Sequence, residues 1–107
     1  REMAAAGKVT LIIDAASVPL LPGAYEYAVA GAIPGGLRNN LDFAGGAVTK
    51  SREIDPSLEL LLYDPQTSGG LLIAMPESDV AKMQKLYPPA RRVGRVVERR
   101  NTLLELE

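Results

Sequence analysis

Apolar positions along the chain fall into short runs, and glycines and prolines separate them. Residues 8–13, KVTLII, are β-branched and apolar between Gly7 and Asp14, which predicts a strand with Asp14 turning its end. The preceding REMAAAG reads as the last turns of a helix with Gly7 as C-cap. PLLPG, residues 19–23, is a connection, and GAYEYAVA, residues 23–30, predicts a short helix with Leu21, Ala24 and Ala28 inward and Tyr25 beside them. Gly31 is its natural C-cap, and Pro34 follows. PGGLRNN, residues 34–40, reads as a second glycine-rich connection in which Gly35 and Gly36 permit positive φ. Residues 41–44 are too short to assign, and 45–52 read as an exposed polar loop.

The second half is patterned more clearly. Asp55 and Pro56 predict a helix start, as N-cap and first helical residue, and Leu58, Leu61 and Leu62 form a stripe at helical spacing. That helix ends near Tyr63, because Pro65 disfavours a helical Asp64. Residues 71–75, LLIAM, are continuously apolar and predict a buried central strand closed by Pro76. Residues 77–87 predict an amphipathic helix with Val80, Met83 and Leu86 or Tyr87 inward and Lys82 and Lys85 outward, stopped by Pro88 and Pro89. Residues 91–98 predict a strand with a bulge at Gly94, and 102–106 a last strand. Strands alternating with helices imply an α/β or α+β fold, one sheet with helices packed on it, in a single domain.

Composition narrows the chemistry. With 107 residues and 47% apolar residues the chain supports one modest core, built from aliphatic residues because aromatics are only 5%. The net charge of −1 points to neither nucleic acid nor an anionic membrane, and no apolar run is long enough to span a bilayer. The basic cluster Arg91, Arg92, Arg95, Arg99 and Arg100 reads as the solvated face of a strand. Cys and His are both absent, so a thiolate nucleophile, a His-based triad and a Cys- or His-ligated zinc cannot come from this chain alone. The carboxylates are scattered and offer no acid–base pair, and no catalytic or metal-ligating residue is assigned.

Two polar segments could hold an anion. In DPQTSGG, residues 64–70, Gly69 and Gly70 let successive N–H groups converge, Thr67 and Ser68 add hydroxyls, and Asp64 and Gln66 flank them. A P-loop is excluded, since no Lys follows the glycines and the run enters a predicted strand. The plain alternative is a helix-to-strand turn. In PGGLRNN, Arg38, Asn39 and Asn40 set donors beside Gly35 and Gly36, against the alternative of an exposed turn.

The run LLYDPQTSGGLLIAMP resembles the C-terminal domain of the selenophosphate synthetases (selenide, water dikinases), whose characteristic segment residues 61–72 match throughout. VPLLPGA (18–24), PGGLRNNL (34–41) and VGRVVE (93–98) resemble further segments of that family in the same order. Leu37 stands where the family usually has Thr, and Asn39 where it usually has Arg. The resemblance implies a four-stranded mixed or mostly antiparallel sheet covered by helices, as in the aminoimidazole ribonucleotide synthetase superfamily. It implies that residues 1–107 are the C-terminal domain of a longer cytoplasmic enzyme, with the final Leu-Glu read as vector-derived.

The whole enzyme would make selenophosphate, AMP and phosphate from selenide, ATP and water with Mg²⁺, as a homodimer. This domain, inactive alone and holding neither ATP nor Mg²⁺ tightly, would partner the N-terminal domain that carries the nucleophile. The implied cleft-lining residues are Asp64, Gln66, Thr67, Ser68, Gly69, Gly70, Gly35, Gly36, Arg38 and Asn40. The alternatives are another ATP-dependent enzyme of the superfamily and a stand-alone binding module. An exposed apolar face, open to self-association, is expected where the N-terminal domain would sit.

Overall fold

A computed structural model describes all 107 residues, Arg1–Glu107. The chain begins with α1 (Glu2–Gly7), β1 (Val9–Ile13) and a 3₁₀ turn at Ala15–Ser17, followed by α2 (Ala24–Val29) and α3 (Gly35–Ala44). Next come a 3₁₀ turn at Gly45–Ala47, β2 (Val48–Lys50), α4 (Pro56–Leu61), α5 (Glu77–Leu86), β3 (Gly94–Glu98) and β4 (Leu104–Leu106). The four strands form one mixed sheet in the order β2-β4-β1-β3. β1 pairs antiparallel with β3, placing Leu11 opposite Val96, and parallel with β4, placing Leu11 opposite Leu104. β2 joins the far edge parallel to β4. The expected four-stranded mixed sheet with helices is the fold observed.

The core lies where β1 and β4 meet α4. Ala15, Ile54 and Leu106 are buried together, with Ile13, Val48, Leu58 and Leu62 packed around them. The α4 stripe therefore does what its spacing requires. Asp55 caps this helix as its sequence dictates, its carboxylate accepting the N–H groups of Ser57 and Leu58 at 2.9 Å each. Asp14 likewise caps the turn after β1, accepting from the Ala16 N–H and the Ser17 hydroxyl. Thr10, fully buried, uses its hydroxyl twice: it donates to the Thr102 carbonyl at 2.6 Å and accepts the Arg100 N–H at 2.9 Å, holding the β3–β4 connection against β1. The arginines of the basic cluster are all exposed, as expected for a solvated face.

Several expectations are corrected. The left-handed residue ending α1 is Lys8, at φ 52°, with Gly7 still helical. PGGLRNN is the start of the ten-residue helix α3, with Pro34 as N-cap, and residues 41–44 complete it. Neither Gly35 nor Gly36 has positive φ. Two adjacent glycines suggested a connection, but fully buried Leu37 anchors the segment and tertiary packing overrides their poor helix propensity. Residues 45–52, read as an exposed loop, contain the 3₁₀ turn and the edge strand β2, which pairing with β4 stabilises. Gly94 is no bulge: it sits in register opposite Ile13, and a Cβ there would lie 2.0 Å from the Ile12 carbonyl oxygen. Leu21, expected inward, is exposed, and so are Leu86 and Tyr87 at the end of α5, a helix with no buried residue.

The largest correction concerns residues 71–75. They form no strand, and Leu71, Leu72 and Ile73 are 90%, 54% and 51% exposed. Continuous apolarity marks a segment that can be buried on both faces, but the two interior positions of the sheet are taken by β4 and β1. Only 10 of 107 residues are buried, so much apolar surface, Phe43, Tyr27, Val29 and Leu71 included, faces solvent.

Candidate functional site

The structure brings the two candidate segments side by side. α4 ends at Leu61 with Leu62 as its C-cap, and Tyr63 and Asp64 close its last turns through backbone bonds to Leu60 and Leu61 at 3.0 and 3.2 Å. Pro65 then forces the chain out of the helix. There it meets the first turn of α3: a Cβ on Gly36 would lie 3.1 Å from Cγ of Pro65. One turn on, the side-chain amide of Asn40 donates to the Tyr63 carbonyl at 3.0 Å. Gly36 and Asn40 thus seat α3 against the root of the 64–70 loop. Leu37, between them in sequence, is fully buried. Arg38 and Asn39 are exposed, and Arg38 makes no ion pair.

The loop itself is open. Residues 65–70 are all exposed. The Gln66 N–H bonds to the Asp64 carbonyl at 2.8 Å, making a tight local turn. From Thr67 to Met75 no backbone N–H donates to another backbone group. Neither Gly69 nor Gly70 has positive φ, so the alternating backbone of an anion nest is not formed in this conformation. A Cβ at Gly69 would come within 2.6 Å of the Gln66 side-chain oxygen, whereas Gly35 and Gly70 face open space.

Two hollows flank Asp64. One, of about 250 Å³, is lined by Arg1, Asn40, Phe43 and Tyr63, and the Arg1 guanidinium stacks over the Phe43 ring at 4.4 Å. The other, of about 180 Å³, is an apolar cleft lined by Leu21, Tyr27, Pro34, Leu37 and Leu61, with Asp64 and Gln66 at its rim. Sequence reasoning did not assign Tyr27 or Phe43 to this region, because only the packing of α2 and α3 against α4 brings them there. Burial pushes the Tyr63 phenol above its ordinary pKa, and the nearby Glu59 carboxylate adds to the effect.

The donor chemistry of the loop suits an oxyanion: two hydroxyls and the free N–H groups of residues 67–70. It does not by itself suit Mg²⁺. Nowhere does the chain gather three His, Cys, Asp or Glu side chains, and Asp64 offers one carboxylate where the ion takes several oxygens.

No protein-family model matches the chain. Curated relatives do. It is 38% identical over 102 residues to a selenide, water dikinase of Clostridium botulinum (strain Eklund 17B / Type B), covering 92% of this chain. It is 42% identical over 103 residues to the selenide, water dikinase of Caldanaerobacter subterraneus subsp. tengcongensis, again covering 92% of this chain. The chain belongs to the selenide, water dikinase family. A protein of that name from Pseudomonas aeruginosa aligns over 98% of the chain at 37% identity. The chain spans only about 30% of the length of the relatives it matches. The family is a phosphotransferase family, and this chain corresponds to a small part of its members. No helix is long and apolar enough to cross a membrane.

Proposed function

We propose that this chain is the C-terminal domain of a cytoplasmic, homodimeric selenide, water dikinase, inactive alone. The complete enzyme converts selenide, ATP and water into selenophosphate, AMP and phosphate with Mg²⁺. Thr67, Ser68, Gly69 and Gly70, with Asp64 and Gln66, line the phosphate end of a cleft shared with an N-terminal domain. Gly35, Gly36, Arg38 and Asn40 flank them from α3.

One observation carries the ligand-facing part of this reading. Residues 67–70 keep their hydroxyls and N–H groups free and exposed while the root of the loop is held by Gly36 and Asn40 of α3. Exposed donors that no protein group accepts are open to a ligand oxygen in exchange for water. Chemistry must come from elsewhere, because this chain has no Cys or His and no acid–base pair. When bound, ATP would supply the phosphoryl group and Mg²⁺ would offset its charge. The residues here would orient phosphate oxygens through hydrogen bonds and hold no proton in flight.

The test is to join the chain to the N-terminal domain of a relative and measure selenide-dependent AMP formation. Hydrogen bonds to a charged group are worth about 1.5–3 kcal/mol each. The double variant Thr67→Ala/Ser68→Ala should therefore weaken ATP-dependent turnover by about tenfold or more. Unchanged activity and unchanged ATP affinity would assign the loop a structural role.

A further inference from the structure

Residues 67–70 carry the donors of the candidate site, yet no backbone hydrogen bond from their N–H groups shapes them. One side chain meets them. Around the position that a Cβ on Gly69 would take, the nearest atoms all belong to Gln66: Oε1 at 2.6 Å, Cβ at 3.4 Å and Cδ at 3.6 Å. The Gln66 side chain is therefore folded back over Gly69, its carboxamide in space that a side chain there would fill. At Gly70, one residue on, the same position meets nothing within 4 Å.

Gly69 has no positive φ, so backbone handedness does not call for glycine at this position, and room for Gln66 does. Gln66 is itself tied to the fold. Its N–H bonds to the Asp64 carbonyl at 2.8 Å, and Pro65 before it packs against Gly36 of α3. Gln66 also lies at the rim of the cleft lined by Pro34, Leu37 and Leu61. A chain of contacts thus runs from α3 through Pro65 and Gln66 to Gly69, the residue after Ser68. Without it, the Thr67 and Ser68 hydroxyls sit on a segment with no fixed conformation, and the entropy of ordering that segment opposes ligand binding.

We propose that Gln66 is a positioning residue: its carboxamide, seated over Gly69, sets the conformation of residues 67–70 and so places the Thr67 and Ser68 hydroxyls for a phosphate oxygen. This role rests on residues 67–70 facing phosphate. It differs from a direct role, in which the Gln66 amide itself binds the ligand. It differs also from a close-approach role for Gly69, in which the missing Cβ makes room for the ligand. The obstructing atom ends a flexible side chain, so Gly69→Ala evicts the carboxamide and leaves the backbone in place. With Gln66→Ala already made, the added methyl meets only the Cβ of residue 66, at 3.4 Å, an ordinary contact. The two substitutions therefore remove the same contact.

A double-mutant cycle tests this in the chain joined to a relative's N-terminal domain, read as kcat/KM for ATP in selenide-dependent AMP formation. Misplacement by about 1 Å can cost about a hundredfold, and Gln66→Ala and Gly69→Ala should each lower kcat/KM by about tenfold. Gln66→Ala/Gly69→Ala should lose no more than either alone. Gln66→Met, which keeps the bulk but lacks the amide, should recover most of the Gln66→Ala loss. The urea midpoint should be the same in all four variants, because residues 66–70 are exposed. In the ligand-free chain, NMR order parameters of the Gly69 and Gly70 amides should fall in Gln66→Ala and Gly69→Ala and hold in Gln66→Met. A Gln66→Met as impaired as Gln66→Ala, a Gly69→Ala loss that persists after Gln66→Ala, or order parameters indifferent to residue 66 would each overturn the proposal. Unchanged turnover in Thr67→Ala/Ser68→Ala marks failure of the phosphate reading instead, and the order parameters, which involve no ligand, still decide the Gln66 contact.

Discussion

The Asn40 side-chain amide donates to the Tyr63 carbonyl at 3.0 Å, joining two segments 23 residues apart in sequence. This bond fixes α3 against the root of the 64–70 loop and has no counterpart in local sequence pattern. Asn40→Ala leaves the Tyr63 carbonyl without its partner, at a cost of about 1 kcal/mol. Urea denaturation should show the midpoint falling with the slope unchanged.

Thr10 is a second long-range tie, and a more costly one to break. Thr10→Val keeps the shape but strands the Arg100 N–H and the Thr102 carbonyl beside a buried site. The expected loss is about 2–3 kcal/mol. Thr10→Ser, which keeps the hydroxyl, should lose distinctly less in the same denaturation experiment.

Glycine matters here for space rather than for turning. Gly94→Ala drives a methyl group to within 2.0 Å of the Ile12 carbonyl oxygen, which is backbone and cannot swing aside. β1 and β3 must separate locally, and a loss of more than about 3 kcal/mol is expected. Gly70→Ala meets nothing within 4 Å and should leave thermal stability within about 0.5 kcal/mol of the original.

Acid should weaken the fold through two carboxylates. The hydrogen bond from Arg95 holds the Glu107 carboxyl below its ordinary range, and the Ser17 hydroxyl does the same for Asp14, partial desolvation opposing each. Both groups bind protons less tightly folded than unfolded. Their contribution is therefore present above the ordinary carboxylate pKa of about 4, and is lost as pH falls through the lowered folded values. The denaturation midpoint should stay flat from neutral pH to about 5 and fall below about 4. Glu107→Gln should flatten part of that fall.

Much of the fold was legible because local chemistry and tertiary structure agree. Asp55 and Pro56 start α4, its leucines face the core, and the β-branched run of β1 pairs on both sides. The errors share a cause. Gly35 and Gly36 looked like a loop because helix propensity disfavours them, yet Leu37 and the approach to Pro65 hold them in α3. Residues 45–52 looked too polar for structure, yet an edge strand needs pairing on one side only. Of the candidate site, the 64–70 loop was visible as a motif. Its neighbours Tyr27 and Phe43 were not, because nothing in their spacing relates them to it.

The sequence alone determined the elements with strong local signals, the absence of thiol and imidazole chemistry, and, through the unbroken 61–72 segment, the resemblance to selenide, water dikinases. Only the tertiary structure decided which strands are neighbours, that α3 seats the loop, and that residues 71–75 remain unpaired. The division has a physical reason. Caps, turns and periodicity act over a few residues, whereas strand order and burial depend on contacts between residues far apart in the chain. An apolar run specifies that it can be buried, but not which edge will bury it.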